Sequence, residues 1–86
     1  MEVTFYGSIT RHTNGDKIFT PKSHSTLREL LAELGEVYGE SFGALLQGSE
    51  TCLILLNGKG IAYSGGLDSP VSVGDKVEIL PFVEAG

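Results

Sequence analysis

At 86 residues, 41% of them apolar and 20% charged, the chain reads as one globular domain, near the size at which a core holds without staples. Six basic against eleven acidic residues leave a net charge of −5, a field that repels phosphate backbones and argues against nucleic acid as a partner. No apolar run is long enough to cross a bilayer, Met1-Glu2-Val3-Thr4 lacks the makings of a signal peptide, and the lone Cys52 excludes an internal disulfide or cysteine-ligated metal site. These features set the expectation of a cytoplasmic protein without membrane contact.

Val3 to Ile9 reads as a first strand, with Val3 and Phe5 on one face and Thr4 and Tyr6 on the other. The polar stretch Arg11 to Asp16 contains Asn14-Gly15, which suits a tight hairpin turn, so Lys17 to Thr20 is expected to return antiparallel as a second strand. His12 and His24 lie in polar connections with no second ligand or nucleophile at a recognisable spacing, and they read as solvated loop histidines.

From Thr26 the period changes. Leu27, Leu30, Leu31 and Leu34 follow the i, i+3, i+4, i+7 spacing of one apolar helical stripe, with Arg28, Glu29 and Glu33 on the other side. Thr26 with Glu29 fits a capping box, Ser25 is an equal candidate for the cap, and Gly35 is placed to end the helix. The glycine-interrupted stretch Glu36 to Gly48 holds Phe42, Leu45 and Leu46, which suggest a short amphipathic turn or helix.

Cys52-Leu53-Ile54-Leu55-Leu56 has no polar face, so both sides of this strand need cover. One long helix covers one side of a sheet. The other is left with Leu53 and Leu55, or else with Cys52, Ile54 and Leu56. Together with Tyr6, Leu80 and Phe82 these residues can form an apolar patch that marks a partner site. A second layer built from the chain's own loops is the competing reading. Cys52 itself, among apolar neighbours, reads as an inert core cysteine.

Asn57-Gly58-Lys59-Gly60 is a turn, and Ile61-Ala62-Tyr63 a short continuation. Gly58, Gly60 and Gly65-Gly66 match neither phosphate-loop spacing, and no helix pattern follows to receive a phosphate. After Gly74-Asp75, Val77 and Ile79 alternate with Lys76, Glu78 and Leu80 in a strand that runs toward the C-terminus. Pro81 has no N–H to donate, so pairing is expected to stop there. Residues 1–80 are then the domain and 81–86 an extended tail through Phe82, Val83, Glu84, Ala85 and Gly86. Ala85-Gly86 is slim enough to thread a terminal carboxylate into a narrow channel.

The order of elements implies an α+β fold, a mixed sheet of about four or five strands packed on one main helix. This resembles the ubiquitin-like β-grasp. Within that fold Leu55-Leu56-Asn57-Gly58, the run Val73-Gly74-Asp75-Lys76-Val77-Glu78-Ile79-Leu80-Pro81 and the small-residue end resemble the MoaD/ThiS sulfur-carrier family, most closely the small subunits of molybdopterin synthase.

The resemblance implies a protein cosubstrate, or a small non-catalytic subunit of a synthase, more than an enzyme. It implies an E1-like adenylating partner that uses ATP to activate the Gly86 carboxylate, which then becomes a thiocarboxylate. The expected recipient is the molybdopterin synthase large subunit or an equivalent sulfur acceptor. No cofactor or metal is implied to be bound by the chain itself. Ala85, Glu84 and Val83 would form the reactive tail, and Tyr6, Leu53, Leu55, Leu80, Pro81 and Phe82 the partner interface. Two alternatives accompany the resemblance: a ubiquitin-like modifier conjugated to lysines through Gly86, and a sulfur carrier of the thiamin pathway. The family usually ends in Gly-Gly, whereas this sequence ends in Ala85-Gly86: either Ala85 is the native penultimate residue, and a receiving channel must admit one extra methyl group, or a final Gly follows that this sequence lacks. An independent enzyme is disfavoured, because Glu78 and Glu84 have no base, metal or pocket paired with them in the sequence.

Overall fold

The structure, a computed structural model, describes residues 1–47, 52–63 and 65–82. Strands β1 (Glu2–Phe5), β2 (Ile18–Phe19), β3 (Cys52–Leu56), β4 (Lys59–Gly60) and β5 (Lys76–Pro81) form one mixed sheet in the order β2-β1-β5-β3-β4. β5 lies in the middle, parallel to β1 and antiparallel to β3. Helices α1 (Leu27–Tyr38) and α2 (Glu40–Gln47) belong to the same core as the sheet. The expected α+β ubiquitin-like β-grasp, a mixed sheet on a main helix, is the observed fold, with a second helix added.

Alternation decides the two faces of the sheet. Val3, Phe5, Ile54, Val77 and Ile79 are buried in the core with the leucine stripe of α1. Their strand neighbours Thr4, Leu53, Leu55, Glu78 and Leu80 fall on the other face and are exposed or half-buried. Of the two options for the apolar run, the structure therefore buries Cys52, Ile54 and Leu56 and opens Leu53 and Leu55.

Thr26 caps α1 with a full capping box. Its hydroxyl accepts from the Glu29 N–H, and Glu29 Oε1 accepts from the backbone N–H groups of Thr26 and Ser25. This satisfies donors that a helix start otherwise leaves orphaned. Gly35 does not end the helix, as expected, but lies within it, and Gly39 caps it instead with φ of 114°. The reason is packing. A side chain at Gly35 would lie 3.2 Å from Gly43 Cα, so the two glycines are what lets α1 and α2 approach closely.

The first strand is shorter than its pattern. Gly7 takes a positive φ of 55°, and residues Gly7–Arg11 turn into a 3-10 helix that carries Ile9 into the core. Asn14 and Gly15 do adopt positive φ, but they close the loop after that helix and not a two-residue hairpin. His12 is an exposed turn residue, as expected, whereas His24 is half-buried. His12 stacks on Phe42 with ring centroids 5.5 Å apart, and His24 Nε2 lies 2.6 Å from Glu33 Oε1. Glu33, read from the stripe as outward-facing, is buried, because the Pro21–Ser25 connection folds over it and the Lys22 N–H donates to the same carboxylate oxygen.

The residues that carry the family resemblance turn out to clamp the start of β5. Asn57, at positive φ in the β3–β4 turn, donates from its backbone N–H to Lys76 O at 2.8 Å, and its side-chain Oδ1 accepts from the Lys76 N–H at 2.9 Å. Its side-chain amide also donates to Asp75 Oδ1, while Asp75 Oδ2 accepts from the Ser72 N–H. The Asn57 amide and the Ser72 N–H hold the Asp75 carboxyl below its usual range. Ile61–Tyr63 continues as a 3-10 helix and not as a strand.

Candidate functional site

Three strands bring the sequence-predicted interface residues into one row. Leu53 of β3 pairs directly with Leu80 of β5, and Tyr6, one residue beyond the Phe5–Ile79 pair, donates its N–H to Ile79 O at 3.0 Å. Tyr6, Leu80 and Leu53 thus lie across β1, β5 and β3 on the face away from the helices. Tyr6 is 38% exposed, Leu53 40% and Phe82, just past the end of β5, 58%. Such exposure is expensive for large apolar side chains unless something covers them. Leu55 sits one row back, opposite Glu78, and is half-buried.

Pro81 behaves differently from its expectation. It remains in β5, paired with Cys52, so the ladder runs one residue past the predicted break. The physical reason is direction. Odd-numbered residues of β5 bond toward β1, as Ile79 O does with Tyr6, so the N–H that Pro81 lacks is not one that β3 needs. By the same alternation Pro81 falls with Cys52 on the helix side, apart from Leu53 and Leu80. Val83, Glu84, Ala85 and Gly86 lie outside the described residues.

Sequence reasoning missed the role of Glu78. Its Oε2 accepts a 2.7 Å hydrogen bond from the Tyr6 hydroxyl. That bond, with a small desolvation and the neighbouring carboxylates, raises the Tyr6 pKa. The bond ties the Tyr6 side chain to β5. The one available signal was the alternation that puts Tyr6 and Glu78 on the same face of adjacent strands.

The ThiS family profile matches residues 3–86. The chain belongs to the ThiS family. A putative sulfur carrier protein of Archaeoglobus fulgidus is 32% identical over 65 residues, covering 71% of this chain and 74% of that protein. A chain of the Amycolatopsis orientalis BexX/CysO complex superposes with a TM-score of 0.81 at 25% identity, covering 99% of this chain and 98% of that one. A chain from the complex of subunits 1 and 2 of the Helicobacter pylori molybdopterin-converting factor is 33% identical, with a TM-score of 0.65 and coverage of 99% and 96%. This ThiS-family chain is therefore a small protein of the sulfur-carrier, ubiquitin-like kind. No helix among its described residues is long and apolar enough to cross a membrane.

Proposed function

We propose that this chain is a cytoplasmic sulfur carrier for molybdopterin synthesis, a protein cosubstrate whose reacting group is the Gly86 carboxylate. The observation that carries the reading is the row Tyr6–Leu80–Leu53 with Phe82, an apolar surface on the central strand that leads into Ala85-Gly86. A partner that covers this row holds the end of β5, and so the start of the tail, at a fixed point on its own surface. Supporting it, the Helicobacter pylori relative is part of a two-subunit molybdopterin-converting factor, and the proposed recipient is the corresponding large subunit.

The chemistry follows from the weakness of a carboxylate as an acyl donor. In an E1-like partner a Gly86 carboxylate oxygen attacks the α-phosphorus of ATP and pyrophosphate leaves, giving an acyl adenylate. A sulfide-level nucleophile then adds to the carbonyl and expels AMP, leaving a thiocarboxylate. Sulfur passes from there to the acceptor, and water restores the carboxylate. The chain supplies the handle and the docking surface, and its partners supply the catalytic groups. Nothing in this scheme asks the chain to bind a cofactor.

The test is ATP–pyrophosphate exchange with the adenylating enzyme of the same organism. Exchange that depends on the chain and disappears on deletion of Gly86 supports the reading. Exchange that is indifferent to Gly86 contradicts it.

A further inference from the structure

We propose that Glu78 receives one basic side chain, an arginine or a lysine, from the partner that covers the Tyr6–Leu80–Leu53 row. The inference rests on the docking surface of the sulfur-carrier reading and adds to it the charge that the partner must bring.

The register of the sheet puts Glu78 inside that surface. Its neighbours across the sheet are Thr4 of β1 and Leu55 of β3. Leu80 is the next outward residue along β5, about 7 Å away. Leu80 is flanked in turn by Leu53 and by Tyr6, whose hydroxyl reaches back to donate to Glu78 Oε2 at 2.7 Å. Glu78 is already half-buried. A surface that covers Tyr6, Leu80 and Leu53 therefore also strips water from the Glu78 carboxylate.

The chain itself offers no cation to meet that charge. All six lysine and arginine residues lie among the described residues, and the ion pairs there are Arg28–Asp68 and His24–Glu33. Lys76, two residues back on the same face of β5, sits opposite Glu2 of β1. Residues 48–51, 64 and 83–86 contain no basic residue. Tyr6 fixes one carboxylate oxygen with a neutral hydroxyl, and among the described residues no group donates to the other, Oε1. A carboxylate desolvated in this state opposes docking, whereas a guanidinium or ammonium on Oε1 offsets the cost with a charge-assisted bond. The net charge of −5 acts in the same direction, drawing a basic surface toward the chain. Glu78 thereby discriminates among partners, because a purely apolar patch fits the row but leaves a buried, unpaired charge beside it.

The experiment is calorimetric titration of the full chain, and of its Glu78→Gln and Glu2→Gln variants, with the molybdopterin synthase large subunit of the same organism. Glutamine at 78 keeps an oxygen for the Tyr6 hydroxyl and removes only the charge. Glu2 is exposed and opposite Lys76, so its variant makes the same change in net charge away from the row. Glu78→Gln weakens the complex by at least about tenfold, and Glu2→Gln by less than about threefold. One arginine or lysine of the subunit, changed to methionine, weakens the parent complex by a similar factor and has little further effect on Glu78→Gln. Binding of Glu78→Gln as tight as the parent, or tighter, overturns the inference and leaves the sulfur-carrier reading standing. Equal losses in the two variants assign the effect to net charge and also overturn it, as does full additivity with every basic residue of the subunit. No complex between the parent chain and this subunit removes the molybdopterin reading and the inference together.

Discussion

Replacing Gly43 by alanine sets two effects of opposite sign against each other. Gly43 lies inside α2, where alanine is favoured over glycine by about 1 kcal/mol on helix propensity alone. An alanine Cβ there would sit 3.1 Å from Gly35 Cα, inside the 3.4–4 Å of ordinary contact. The obstacle is backbone, and α2 cannot drift freely because Phe42 and Leu46 are buried in the core. Forcing such a contact costs about 1–3 kcal/mol. The expected net result is a loss of about 1 kcal/mol, or a fall in Tm of about 4–8 °C for a domain of this size. Ala32→Gly calibrates the propensity side, since Ala32 is exposed on α1 and its loss should cost about 1 kcal/mol with no packing change. Urea unfolding of both variants, at unchanged m-value, reads the two numbers. A Gly43→Ala protein more stable than the parent would refute the close helix contact.

Three further outcomes follow from particular residues. Burial pushes the Glu33 carboxyl upward, but bonds from His24 and the Lys22 N–H outweigh it and hold its pKa below the usual range. Because the folded value is depressed, Glu33 stabilises the fold above the ordinary glutamate pKa of about 4.3 and loses that contribution as pH falls through the folded value. The stability gap between parent and Glu33→Gln should therefore hold near neutrality and narrow below about pH 4.3, and a gap that widens in acid contradicts the assignment. Thr26→Ala removes the cap of α1 and should cost about 1 kcal/mol in urea unfolding, against no change if the cap is idle. Leu53→Asp puts a charge in the open row; it should alter stability by less than about 1 kcal/mol, yet weaken the large-subunit complex by at least about tenfold in calorimetry. Unimpaired binding would remove Leu53 from the interface.

The parts of the fold legible in the sequence were those where one period dominates. The α1 stripe and the alternation of β5 each stated which side chains go inward, and both hold, whereas the apolar run of β3 stated only that both its faces need cover. Local signals failed where tertiary packing overrode them. Gly35 carries the mark of a helix end, but its lack of a side chain serves the crossing with Gly43. Glu33 carries a charge, but the chain folds over it with His24 to match. The outward row was legible in part, because alternation sets Tyr6 and Leu80 opposite the inward Phe5 and Ile79, while the side of Leu53 follows only from its pairing with Leu80. The extent of β4 was not legible, since nothing in Lys59-Gly60-Ile61 announces where it stops.

The central claim is that Gly86 carries sulfur. Intact-mass spectrometry of the chain purified from its native cells, with fragmentation of the tail, tests it most directly. A gain of about 16 Da confined to Gly86, the exchange of one carboxylate oxygen for sulfur, is the predicted result. A free carboxylate alone, or Gly86 found joined to lysine side chains of other proteins with no thiocarboxylate form, would contradict the account.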